Sequence, residues 1–197
     1  MIKLSLIFLL AYLSGAIPSG YWMGKAFGID LTQEGSGSTG ATNVLRLVGK
    51  WQAIVVLIVD IGKGFVPVYF AKEYILSHSP WLILPLAMVP IFAHSKSVFI
   101  GFKGGKSSAT GFGVLIALNQ IVALITISTW VLVVWRSGFS SLGSVVSIPL
   151  VPIWLWLFGE TLPVISFGIV AFVFIVLIKH RSNITRLLNG EEFNFKN

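Results

Sequence analysis

The stretch Gly111-Phe-Gly-Val-Leu-Ile-Ala-Leu-Asn-Gln-Ile-Val-Ala-Leu-Ile-Thr-Ile-Ser-Thr-Trp-Val-Leu-Val-Val-Trp135 decides how this chain folds. It is an apolar run of 25 residues with the polar pair Asn119-Gln120 near its middle. A helix that crosses a bilayer needs roughly 20 mainly apolar residues. The run therefore reads as one long crossing or as two short ones parted at Asn119-Gln120. The two readings place everything after residue 135 on opposite sides of a membrane.

That a membrane is involved follows from composition. Of 197 residues, 55% are hydrophobic and only 11% are charged, and the mean hydropathy is +0.89. A soluble domain carries about 25% charged residues. Further apolar runs cover 2–23, 51–71, 81–94, 144–158 and 162–178, the last two parted by a tight hairpin at Gly159-Glu160. The first run is interrupted by Gly15, Pro18 and Gly20 and lacks a suitably placed small-residue cleavage site, so it reads as a retained helix rather than a signal peptide.

Charge placement chooses between the readings. The net charge is +7, from 14 Lys and Arg against 7 Asp and Glu. In a soluble protein such a surplus would suggest nucleic acid; here cytoplasmic loops account for it, because they collect Lys and Arg. Lys25, Arg46 and Lys50 lie after the first run, and Lys96, Lys103 and Lys106 after the third. Arg136 follows the long run, and Lys179, Arg181, Arg186 and Lys196 make up the tail. Placing all of these on one face requires 111–135 to cross twice. The expectation is an all-α polytopic bundle of about seven transmembrane helices, two of them short, as one integral-membrane domain over 1–197. Its N-terminus is outside and its C-terminus cytoplasmic.

Four polar segments then share the cytoplasmic face. The first contains Gly35-Ser-Gly-Ser-Thr-Gly-Ala-Thr-Asn-Val-Leu-Arg46. Glycine-rich turns let successive N–H groups surround an anion, and Arg46 offers a fork that matches phosphate. A flexible linker has the same composition. The second, Phe102-Lys-Gly-Gly-Lys-Ser-Ser-Ala-Thr110, repeats this chemistry, although a basic loop with a serine helix cap would also look so. The third, Gly138-Phe-Ser-Ser-Leu-Gly-Ser144, lines a site or simply lets helices pack closely. The fourth, Lys179-His-Arg-Ser-Asn-Ile-Thr-Arg186, supplies a histidine and an asparagine among cations that anionic head groups would also attract. Within the second apolar run, Asp60 and Lys63 share a helical face and read as an ion pair, since charges at membrane depth are costly unless paired. Asp60 as a catalytic base is the minority alternative.

There is no cysteine, which excludes disulfides, thiolate zinc sites and a cysteine nucleophile. The three histidines are far apart and acidic residues are sparse, so neither a metal nor a cofactor is expected.

Taken in order, Ile17-Pro-Ser-Gly20, the 35–46 segment, Asp60-Ile-Gly-Lys-Gly64, Phe102-Lys-Gly-Gly-Lys106, Ser141-Leu-Gly-Ser144 and His180-Arg-Ser-Asn-Ile-Thr-Arg186 resemble the acyl-phosphate-dependent glycerol-3-phosphate acyltransferase family of bacterial inner membranes. The chain departs from the common family pattern at Ala93 and Ser97 around His94, at Ser107-Ser108, and at Gly138, where an arginine is usual and the only one here is Arg136 upstream.

The resemblance implies transfer of a fatty acyl group from acyl phosphate to the 1-hydroxyl of glycerol 3-phosphate, in phospholipid biosynthesis. Its products are 1-acyl-glycerol 3-phosphate and phosphate. The implied partners are the two substrates and membrane lipid. The implied place is the bacterial inner membrane, with the active face cytoplasmic. Acyl phosphate carries a good leaving group, so direct transfer needs no covalent intermediate. The residues expected to act are Arg46, Lys106, His180 and Asn183. Those expected to bind substrate are Ser36, Gly37, Ser38, Thr42, Asn43, Lys103, Gly104, Gly105, Ser141 and Ser144. The proton acceptor is His180 or the substrate's own phosphate. The competing class is a small transporter or channel for phosphate or organic anions. Against it, the outer face offers little: Lys72, Glu73, His78 and Glu160.

Overall fold

The computed structural model describes residues 2–196. Among them there is no named strand, and helices of very different length make up the bundle. They are α1 (Ile2–Ala16), α2 (Ser19–Ala26), α3 (Ala41–Leu47), α4 (Lys50–His78), α5 (Ile83–Ser95), α6 (Ser108–Leu118), α7 (Gln120–Ser137), α8 (Ser140–Ser147), α9 (Val151–Leu157), α10 (Leu162–Phe172) and α11 (Arg181–Leu188). A π-helical turn, Val173–Lys179, carries α10 on toward α11.

Five stretches are long and apolar enough to cross a membrane: Ile2–Ala26, Lys50–His78, Gln120–Ser137, Ser140–Leu157 and Leu162–Lys179. Pro80–Ser95 and Ser108–Leu118 are apolar but shorter. Large apolar side chains such as Leu10, Ile58, Phe70, Leu124, Trp135 and Leu177 remain exposed on the outside of the bundle, as expected where lipid is the solvent.

The break inside 111–135 lies at Asn119, at the polar pair. Its Oδ1 accepts from the Val122 N–H at 2.8 Å and caps α7, while its Nδ2 donates to Glu160 Oε1 at 2.7 Å. The polar pair thus starts a helix and ties it to the hairpin before α10. One expectation is corrected. The halves are not both short, because α7 continues to Ser137, and the two short apolar helices are Pro80–Ser95 and Ser108–Leu118. Most of the third segment is helical, since only Gly138 and Phe139 separate α7 from α8. Its small residues pack helices together: a Cβ on Gly143 would strike Trp130 and Val134 of α7.

The broken first span shows how the bundle handles free backbone groups. Pro18 separates α1 from α2, and no water is at hand at membrane depth to satisfy the carbonyls left over. Lys63 Nζ donates to Ile17 O at 2.7 Å, and Ser97 Oγ donates to Ala16 O. Pro67, inside α4, cannot donate to the Lys63 carbonyl, and Ser14 Oγ does so at 3.1 Å. Between α4 and α6 the backbones nearly touch: a Cβ on Gly64 would strike Thr110 O, and one on Gly113 would strike Ile61 O. This contact fixes the polar face of α4 beside the start of α6.

Candidate active site

At the end of the bundle where the motif segments gather, a cavity of about 430 Å³ opens. Its wall draws on the segment before α3, on α3 and α4, on the turn into α6, and on α7, α8, α11 and the tail. Of the fourteen residues singled out from the sequence, Ser36, Ser38, Thr42, Asn43, Arg46, Lys106, Ser141, Ser144, His180 and Asn183 line it. Gly37, Lys103, Gly104 and Gly105 are outside the lining. Lys103 is exposed, and its carbonyl accepts from the Ser97 N–H. Gly104 and Gly105 lie flat against His94, leaving no room for a Cβ on either.

Position alone does not make the lining residues equivalent. Asn43 is buried with its amide fully engaged: Oδ1 accepts from Ser36 N–H at 3.0 Å, and Nδ2 donates to Leu31 O and Glu34 O. It holds the glycine-rich loop in shape. Thr42 and Ser140 share a hydrogen bond of 3.1 Å that joins the first and third segments. Ser144 accepts from Trp130 Nε1 and donates to Ser108 Oγ.

Other groups end at the cavity without a hydrogen-bond partner. Arg46 Nε, Ser141 Oγ, Asn183 Oδ1 and His94 Nδ1 are buried and make no hydrogen bond. An unpaired buried polar atom costs about 1–3 kcal/mol, so four around one cavity mark a site shaped for a polar ligand.

The electrostatics favour an anion. Arg46, Lys50 and Lys106 face Asp60 and Glu192 across the lining. Burial and the neighbouring Arg186, Arg46 and Lys179 lower Lys106 to about 8, against the pull of Glu192, and it stays mostly charged at neutral pH. His180 is lowered to about 4, mainly by burial and also by Lys106 and Lys179, although its bond to Ile175 O and Glu192 act the other way. The imidazole is neutral at pH 7. Its Nδ1–H donates to Ile175 O at 2.8 Å, a carbonyl within the π-helical turn, which leaves Nε2 as the acceptor.

The expected Asp60–Lys63 pair is present at 2.8 Å, and Ser19 Oγ also donates to Asp60 Oδ1 at 2.6 Å. His94 Nδ1 stands 3.7 Å from the same oxygen. Below the charges, Ile54, Leu57 and Ile61 of α4 face Phe112 of α6 and Ile127 and Val131 of α7. Sequence reasoning missed Glu192, Phe195, Lys50 and His94 as lining residues. His94, a histidine ending an apolar run, and Lys50, among the basic residues after the first run, carried usable signals. Among the described residues no three His, Asp or Glu side chains gather as a metal site.

The sequence model described as glycerol-3-phosphate acyltransferase matches residues 5–190. A glycerol-3-phosphate acyltransferase of Thermosynechococcus vestitus is 43% identical over 199 residues, covering 96% of this chain and 93% of the relative. One of Fusobacterium nucleatum is 41% identical, covering 95% of each. The crystal structure of PlsY (YgiH), an integral membrane glycerol 3-phosphate acyltransferase, in its glycerol 3-phosphate form superposes with a TM-score of 0.91 at 35% identity, over 96% of this chain and 94% of that one. Its lysophosphatidic acid form gives 0.87 at 34% identity, over 96% and 93%. This chain belongs to the glycerol-3-phosphate acyltransferase family.

Proposed function

We propose that this chain transfers a fatty acyl group from acyl phosphate to the 1-hydroxyl of glycerol 3-phosphate, releasing 1-acyl-glycerol 3-phosphate and phosphate. The observation that carries the reading is the two-part cavity, with cations and orphaned polar atoms among the motif segments and an apolar face beyond them. Two phosphates and one acyl chain need both parts. The loops that would have to line a path to the opposite face, as a transporter requires, instead converge here.

In this reading Arg46 and Lys106 hold phosphate, with Ser36, Ser38 and Ser141 as hydroxyl donors. Thr42 and Ser144 complete the wall. Asn43 acts through Ser36, and Asn183 positions the glycerol. Gly37, Gly104 and Gly105 shape the loops. The hydroxyl oxygen attacks the acyl carbonyl carbon, the bond from that carbon to the phosphate oxygen breaks, and phosphate leaves with the electron pair. The hydroxyl proton passes to His180 Nε2. A dianionic phosphate bound beside the imidazole raises its proton affinity, opposing the burial that lowers it. Orientation of two bound reactants supplies up to ~7–11 kcal/mol in favourable cases.

The membrane is the bacterial inner membrane, and the motif segments face the cytoplasm. The absence of native cysteine makes this simple to test. A cysteine at exposed position 103 should be labelled only from the cytoplasmic side, and labelling from outside reverses the topology. For the reaction, purified protein with acyl phosphate and glycerol 3-phosphate should release phosphate. No release at any chain length overturns the assignment. His180→Ala should lower kcat by ~10²–10⁴ if His180 is the base, and a loss under tenfold assigns the proton to the substrate's own phosphate.

A further inference from the structure

The six described residues after Gly190 fold back onto the site. Phe195 N–H donates to Gly138 O at 2.9 Å, Asn194 Nδ2 to Ser137 O at 3.2 Å, and Lys196 Nζ to Arg136 O at 2.7 Å. The Phe193 ring lies 4.2 Å from the Arg46 guanidinium. This strap, pinned to the turn between α7 and α8, delivers Glu192 to the cavity wall.

The Glu192 side chain is only 6% exposed. One carboxylate oxygen accepts from Arg186 Nε at 2.9 Å and the other from Asn183 Nδ2 at 2.9 Å. An ionised carboxylate only accepts, so it selects the NH₂ end of the Asn183 amide. The Asn183 carbonyl oxygen is then left elsewhere, buried and without a partner, on a residue that lines the cavity. A phosphate oxygen has no use for another acceptor, whereas a hydroxyl does. Among the described residues the ion pair of Glu192 is with Arg186, which is outside the cavity lining. Arg46 and Lys106 are thereby left for phosphate.

We propose that Glu192 is a positioning residue that fixes the Asn183 amide so that its Oδ1 accepts a hydroxyl of glycerol 3-phosphate. The C-terminal tail thus orients the acceptor substrate. This rests on the acyltransferase reading above, which stands or falls on phosphate release by the unaltered protein before any variant is made.

The test is steady-state kinetics on the full chain with each substrate varied in turn. Glu192→Ala should raise KM for glycerol 3-phosphate about tenfold, the scale of one hydrogen bond to a charged group, and leave KM for acyl phosphate within about twofold. Glu192→Gln, which keeps the shape and one acceptor, should fall between, and decides alone if the alanine variant does not fold. Adding Glu192→Ala to Asn183→Ala should cause little further loss, because the two act as a unit. Additive losses, equal rises in both KM values, or a lower KM for glycerol 3-phosphate in Glu192→Ala would each overturn the proposal. The last of these would mark the carboxylate as a competitor of the phosphate.

Discussion

Two glycine-rich segments bound the cavity, and they use glycine in different ways. In the segment before α3, Gly35 and Gly37 adopt φ of +61° and +66°, and the loop is held from within by the Asn43 amide. In the segment before α6, Gly104 and Gly105 have no such φ; they are needed because His94 lies against them. One loop is shaped by a turn and the other by contact. All four of these glycines lie off the cavity wall, and the side chains between and beyond them line it. Similar composition therefore conceals dissimilar mechanics, and each loop should fail in its own manner.

The largest effect should come from Gly104→Ala. Its Cβ would meet the His94 carbonyl and the Ser95 backbone, which cannot swing aside, so Lys106 is displaced. A misplacement near 1 Å costs ~10²-fold in kcat/KM. Gly105→Ala should be nearly as damaging, but there the obstacle is the imidazole of His94. Adding His94→Ala should recover part of the loss in Gly105→Ala and none in Gly104→Ala; equal rescue would break the distinction.

In the other loop, Gly35→Ala combines left-handed backbone with a Cβ driven into Asn43 Oδ1. A strained residue of this kind costs about 1–3 kcal/mol, so the melting temperature should fall by several degrees and kcat/KM by about tenfold. Of the two loops, only the second places a lysine on the cavity wall with a pKa near 8. Lys106 is charged below that value and neutral above it, so kcat/KM should decline as pH rises past about 8. Arginine keeps its charge to above pH ~12, and Lys106→Arg should remove that decline. The smallest effect is expected for Lys103→Ala. The side chain is exposed, and screening should hold the change in kcat/KM under about threefold.

Much of this was legible in the sequence, and the reasons are physical. A polar pair inside an apolar run marked a break in 111–135, and an asparagine is a good helix cap. Asp60 and Lys63 stood out because apolar runs do not tolerate lone charges. The serines of α8 were harder. Ser140, Ser141 and Gly143 suit a loop in water, but among membrane helices the same small residues permit close packing. The approach of His94 and Glu192 to the cavity was hidden for a different reason. Periodicity tells which face of a helix is apolar, but not which distant turn that face will meet. Glu192 reaches the cavity only because the tail reverses and bonds to Gly138 and Ser137, contacts between residues more than fifty positions apart.

The ion pair within α4 has a consequence for how the protein enters the bilayer. Asp60 and Lys63 lie one turn apart on the same helix, so this segment brings its own counter-charge. It can partition as a neutral unit, without waiting for a partner from another span. When the broken first span docks, Lys63 gains Ile17 O and Asp60 gains the Ser19 hydroxyl. The same two charges that ease insertion then become the latch between the first two spans.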